Sequence, residues 1–229
     1  MKLLNKIILI AAVALLSVPT YAQEEEAPEP TFGISGSVDT YFRSTEYAPY
    51  TSFANLNGFA LGMANVIMSY DGDKVGFVAD LVFGPRGAEA VFGSNPALNI
   101  VNQLNAYINV TDNFKLTLGN FNTFLGYEVI SPTANFNYST SYMFSYGPFS
   151  HSGIKADFAL GESFSLVVAL MNPTDATDFN PVNEYVTGLQ LGYSAGSGSA
   201  YLNVLASDKF FQIDLTLSLI HISEPTRPY

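Results

Sequence analysis

The sequence has 229 residues, of which 13% are charged, with a formal net charge of −11, no cysteine, 18 Phe and 14 Tyr. The acidic balance excludes nucleic acid as a natural partner, and the missing cysteines exclude a disulfide framework or a thiolate metal site. A soluble domain carries about 25% charged residues, so few charges and many aromatic rings fit a membrane β-barrel better.

The chain opens with Lys2 and Lys6, an apolar run over residues 7–18, and small residues at Thr20 and Ala22. That is the pattern of a secretory signal peptide, residues 1–22, cleaved near Ala22. The apolar run is shorter than the roughly 20 residues a spanning helix needs. No Cys follows the cleavage site, so no lipid anchor is expected there. Residues 23–31, rich in Glu and Pro, read as a solvated periplasmic linker.

From Gly33 onward the pattern has period two. Ile34, Gly36, Val38, Thr40 and Phe42 alternate with Ser35, Ser37, Asp39, Tyr41 and Arg43. One face suits lipid and the other water. The alternation returns with Gly62, Ala64, Val66, Met68 and Tyr70, with Val75 to Phe83, with Leu104 to Val110, and with Phe114 to Leu118. It continues through Ile154 to Phe158, Phe164 to Leu170, Leu189 to Tyr193, Leu202 to Ala206, and Ile213 with Leu215. Short turns are expected at 71–74, 111–113, 161–163 and 195–199. Longer loops are expected near 46–57, 85–98, 122–148 and 172–184. Short turns alternating with long loops are the outer-membrane barrel pattern. A soluble β-sandwich would show an outward face richer in Lys and Glu, whereas the polar positions here are mostly Ser, Asn, Thr and Gly. The expected fold is therefore all-β, an antiparallel transmembrane barrel of outer-membrane type over residues 32–216, truncated to about ten strands.

The stretch from Leu217 to Arg227 back-translates into the transposase adapter of sequencing libraries. Residues 217–229 are accordingly read as adapter translation, with native sequence continuing beyond Thr216. His221 is then no site residue, and Tyr229 resembles a terminal barrel aromatic only by accident.

Three stretches carry a resemblance: Leu118-Gly119-Asn120-Phe121-Asn122-Thr123-Phe124-Leu125-Gly126-Tyr127-Glu128, Asn135-Phe136-Asn137-Tyr138-Ser139, and Pro148-Phe149-Ser150-His151-Ser152-Gly153. With Gly36-Ser37-Val38-Asp39-Thr40-Tyr41 they resemble the second catalogued family of β-barrel porins of Gram-negative bacteria. The resemblance runs from about Ser35 to Thr216 and implies a pore in the bacterial outer membrane, without naming a solute. The partners it implies are outer-membrane lipid, small hydrophilic solutes and the barrel-assembly machinery, and it leaves a homotrimer open. No cofactor and no enzymatic activity are expected.

By alternation, Asp39, Arg43, Asp80, Lys115, Lys155 and Asp157 should line the lumen. They could set a transverse field across a pore or brace the wall as paired charges. The longest and most aromatic loop, 122–148, reads as a constriction loop in which Tyr127, Glu128 and Tyr138 would meet the solute. The alternative is an outer cap joined to the interfacial aromatic girdle. His151, flanked by Ser150 and Ser152, raises the idea of a lipid hydrolase, but neighbouring strand residues point to opposite faces and cannot form a Ser–His pair. Asp71-Gly72-Asp73 lacks the rest of a calcium loop and reads as a hairpin turn, so no catalytic or metal residue is assigned. A non-conducting structural or adhesin barrel is the remaining alternative.

Overall fold

The computed structural model describes residues 29–45, 51–53, 56–91, 100–196 and 198–219. The expected signal peptide, most of the expected linker, and residues 220–229 of the segment read as adapter lie outside the described residues. Ten strands form one antiparallel sheet in chain order: β1 (Thr31–Arg43), β2 (Gly58–Asp71), β3 (Val75–Phe83), β4 (Val101–Thr111), β5 (Phe114–Asn122), β6 (Ser150–Leu160), β7 (Phe164–Met171), β8 (Val186–Ala195), β9 (Gly198–Ala206) and β10 (Phe211–Leu219). Each pairs with its sequence neighbours, and the sheet is not closed, because β1 and β10 have one hydrogen-bonded neighbour each. Strand β10 includes three residues, 217–219, that the sequence reading gives to the adapter. Leu217 still faces out, opposite Ala200, and Ser218 still pairs with Ser199.

The alternation places apolar side chains on the outside. Phe32, Ile34, Val38 and Phe42 are exposed on β1, as are Phe211, Ile213, Leu215 and Leu217 on β10. Exposed apolar surface on this scale suits a hydrocarbon solvent rather than water. Phe32 and Phe42 stand ten residues apart on the outer face of one strand. At about 3.4 Å per residue and a tilt of about 40° that separation covers roughly 26 Å along the membrane normal, the height of an outer-membrane apolar band. Aromatic pairs mark both ends of the band. At the short-turn end Phe114 stacks on Phe158 with centroids 4.6 Å apart, and Phe164 meets Tyr193 at 4.9 Å. At the long-loop end Phe42 meets Phe59 at 4.8 Å. Among the described residues no helix is long and apolar enough to cross a membrane.

Two features depart from simple alternation. First, β2 carries an extra residue between the partners of Val38 and Thr40, since Val38 pairs with Ala64 but Thr40 pairs with Leu61. This bulge turns Gly62, expected on the outer face with Ala64, to the inner face. There it makes room for other groups: a Cβ on Gly62 would sit 1.7 Å from Asp39 Oδ2 and 2.9 Å from the Tyr138 hydroxyl. Second, the long loops contain short helices that no periodicity announces, α1 (Pro85–Ala90) between β3 and β4 and α2 (Tyr142–Tyr146) between β5 and β6.

The connections match the expected asymmetry in all but one place. The turns after β2, β4, β6 and β8 are short, and Gly72 N donates to Val75 O at 3.1 Å in the first of them. At the other end, the connection between β9 and β10 is only four residues, Ser207–Phe210, whereas its counterparts are long.

A charge placed on the outer face in mid-strand should be expelled by the hydrocarbon. Val168→Lys, on the outer face of β7, is expected to lower stability in lipid by about 2–4 kcal/mol, read as a shift in the urea-unfolding midpoint of the refolded full chain. Ser165→Lys, on the inner face of the same strand, should cost much less. Equal costs for the two would mean that the faces are assigned wrongly.

Candidate functional site

The connection from β5 to β6, residues 123–149, folds against the inner face of the sheet and is held there from several strands. At its start, Thr123 Oγ1 lies 2.9 Å from His151 Nε2 on β6, and Gln103 Oε1 on β4 accepts from Asn122 N at 3.3 Å. Gln190 Nε2 on β8 donates to Phe124 O at 2.7 Å, and Gly126 N donates to Asp214 Oδ2 on β10 at 3.1 Å. Farther along, the Tyr138 hydroxyl donates to Asp39 Oδ2 on β1 at 2.7 Å. The loop thus reaches from the first strand to the tenth.

Arg86, on α1, is the central fastener. It is 2% exposed, and its Nε donates to Ile130 O at 2.6 Å while Nη1 donates to Tyr138 O at 3.1 Å. Its guanidinium stacks 4.4 Å from the Phe53 ring centroid and 5.5 Å from that of Tyr138. Burial lowers the pKa of Arg86, but a guanidinium keeps its charge at neutral pH. The Tyr138 phenol is pushed well above its usual range, first by burial and then by the hydrogen bond to Asp39. It therefore remains a neutral donor that fixes the loop to the wall. In the next long loop, burial raises the Asp175 carboxyl, which nonetheless accepts from Phe149 N and Ser150 N at the point where the chain re-enters β6.

Where the loops press inward, the inner face becomes apolar. Phe53, Met63, Val82, Ala90, Val91, Ile130 and Phe149 form one buried cluster. Phe121, Leu125, Ala169, Met171, Val186 and Leu205 form another, against which Phe124 packs. Gly188 seats that ring, since a Cβ there would lie 2.6 Å from Phe124 Cζ. Met171 and Leu205 are fully buried. Alternation predicts only that such residues face inward, and it cannot reveal that a loop will cover them.

The loop does not fill the interior. A cavity of about 360 Å³ lies between it and β1–β4, lined by Ser35, Ser37, Asn65, Asp80, Gln103 and Asn122 among others. A second, of about 390 Å³, lies between it and the unpaired edge of β10, lined by Tyr127, Glu128, Asn137, Gln212 and Asp214 and also by the outward Leu215 and Leu217. In the first, Ser37 donates to Asn65 Oδ1, while Asn65 Nδ2 and Asn102 Nδ2 both donate to Asp80, at 3.3 and 2.6 Å.

The six residues assigned to the lumen side all fall on the inner face, in three settings. Asp39 holds Tyr138, and Asp80 stands in the amide network. Lys155 bridges to Asp157 at 2.9 Å, and Lys115, which pairs across strands with Asp157, lies 4.5 Å from the Tyr107 ring centroid. Arg43 sits at the long-loop end of β1, opposite Gly58. Of the three loop residues, Tyr127 is exposed beside the second cavity and Tyr138 is clamped between Asp39 and Arg86. Glu128 accepts from Ser141 N at 2.9 Å and also from the Ser141 hydroxyl, so its carboxylate braces the loop as well as lining the cavity. His151 is fully buried against Phe124, and the Ser152 hydroxyl turns to Asn120 Oδ1 and Thr177 O instead. Sequence reasoning missed Arg86, Gln190 and Asp214 as loop anchors. Arg86 was discoverable by scarcity, since the sequence has only three arginines.

An antiparallel sheet with an apolar exterior, a polar interior and a loop folded inside defines a membrane β-barrel protein of the porin type. Residues 31–218 match the family model described as "Putative beta-barrel porin-2, OmpL-like", and the chain belongs to that family. Membership places it in the outer membrane. No curated protein and no solved structure matches the chain.

Removing the guanidinium should free the loop. In Arg86→Met, chymotrypsin is expected to cut at Tyr138, Tyr142 or Phe144 at least about tenfold faster than in the unmodified full chain, because each charged hydrogen bond lost is worth about 1.5–3 kcal/mol. Unchanged cleavage rates would show that Arg86 is not the fastener.

Proposed function

We propose that the protein is a passive pore for small hydrophilic solutes, narrowed by the loop 123–149. The observation that carries this reading is the loop itself, anchored inside the sheet to Asp39, His151, Gln190 and Asp214 while leaving two cavities beside it, each lined in part by polar side chains. A loop fixed in this way constricts without sealing, and its fixed dipoles and side chains are what a permeating solute meets. Bond-making chemistry has little support, because His151 is committed to Thr123 and buried. The outward apolar band meets outer-membrane lipid, and insertion calls on the barrel-assembly machinery.

The apolar clusters under the loops favour one competing reading, a plugged structural barrel. Planar-bilayer recording separates the two. The complete native chain is expected to give stepwise conductance, and deletion of residues 127–146 should raise the step size about twofold or more as the constriction opens. Inserted protein that leaves the bilayer sealed would establish the plugged barrel and overturn the pore.

A further inference from the structure

The charges in the interior are not evenly distributed. Lys155 is bonded to Asp157, and Lys115 pairs across strands with the same Asp157, so both lysines gather around one acid toward the short-turn half of β5 and β6. The level of the loop is different. Asp80 lies three residues from the long-loop end of β3, and Asp214 lies three residues from the long-loop end of β10. Each faces one of the two cavities flanking the loop.

Among the described residues, both carboxylates accept hydrogen bonds from neutral donors only. Asp80 accepts from Asn65 and Asn102, and Asp214 accepts from Gly126 N, Asn203 Nδ2 and Thr216 Oγ1. Glu128 adds a third carboxylate beside Asp214. Neither cavity has a Lys or Arg among its lining residues. The nearby guanidinium of Arg86 is buried against Phe53 and Tyr138 and faces Asp39, and Arg43 sits at the rim. Charges farther off than about 8 Å are largely screened at physiological salt, so the walls of the cavities dominate the field a solute feels there.

We propose that the passage selects cations, with Asp80 and Asp214 as the specificity-determining residues on either side of the loop. Small inorganic cations and protonated amines are then favoured over anions of the same size. Amide and hydroxyl donors hold the two carboxylates in place without neutralising them. This inference rests on the pore reading, and its test separates the two.

The experiment is the reversal potential of the complete native chain in planar bilayers under a KCl gradient. The unmodified protein is expected to pass K⁺ in preference to Cl⁻. The double variant Asp80→Asn/Asp214→Asn should lower the K⁺/Cl⁻ permeability ratio by about two- to fivefold, the range set by a unit charge acting through water over a few ångströms. Each single variant, Asp80→Asn or Asp214→Asn, should move the ratio in the same direction by a smaller factor, so the test does not depend on the double variant folding. Steps of normal size with no cation preference, or with a preference unmoved by the substitutions, would overturn the proposal and leave the pore intact. Absence of any steps would instead defeat the pore reading.

Discussion

Hydrocarbon offers no hydrogen bonds, and every peptide group inside it must find a partner in the chain. That single constraint organises this protein. An antiparallel ladder from β1 to β10 pairs the backbone of the eight inner strands on both sides and of β1 and β10 on one. The ladder in turn forces alternate side chains to opposite faces, so one set meets lipid and the other meets the interior. Once the exterior is committed to Phe, Ile, Leu and Val, the interior is the one place where Asp39, Asp80, Asn203 and Asp214 can be solvated or paired. The polar wall follows from the demands of the backbone as much as from function.

The loop 123–149 reverses part of that logic. By entering the interior it buries Phe121 and Leu125 with the strand residues Met171 and Leu205, and Phe149 with Met63 and Val82. The interior therefore has two regimes. Toward the short turns it is a wet wall with Lys155, Asp157 and Asn109 exposed to solvent to varying degrees. At the level of the loop it resembles a small protein core, interrupted by two cavities that Asp80 and Asp214 help to line. A buried arginine sits at the junction, stabilised by aromatic faces and carbonyl oxygens rather than by a carboxylate in direct contact. Such a group is costly to bury, and its donors to Ile130 and Tyr138 recover part of that cost by fixing the loop's middle.

Much of this was legible in the sequence, because a period of two survives wherever strands are regular. The faces of β1, β4 and β5 can be written down from Ile34, Leu104 and Leu116 alone. The reading failed at Gly62, where an extra residue in β2 changes the face, and nothing in residue type marks that bulge. The family resemblance read from the motifs around Leu118, Asn135 and Pro148 stands, supported by the match over residues 31–218. The inner-face charges were placed by alternation, but their partners were not, because hydrogen bonds such as Arg86 to Tyr138 join segments with no periodicity of their own. Glu128 illustrates the same limit: its type suggests a charge offered to solute, while its partner Ser141 is set by the local path of the loop.

The reach of the loop also bears on the order in which the protein assembles. Every strand pairing joins sequence neighbours, so each hairpin can form from a short stretch of chain with a small loss of chain entropy. The loop contacts are of another kind. Tyr138 meets Asp39 across 99 residues, and Gly126 meets Asp214 across 88. Those contacts cannot exist until the first strand and the tenth have both been laid down. The loop can take its nearer bonds, to His151 and Arg86, first, and those to Asp39 and Asp214 only once both outer strands are in place. The loop is thus pinned across the sheet by its longest-range bonds, which are the last the chain can make.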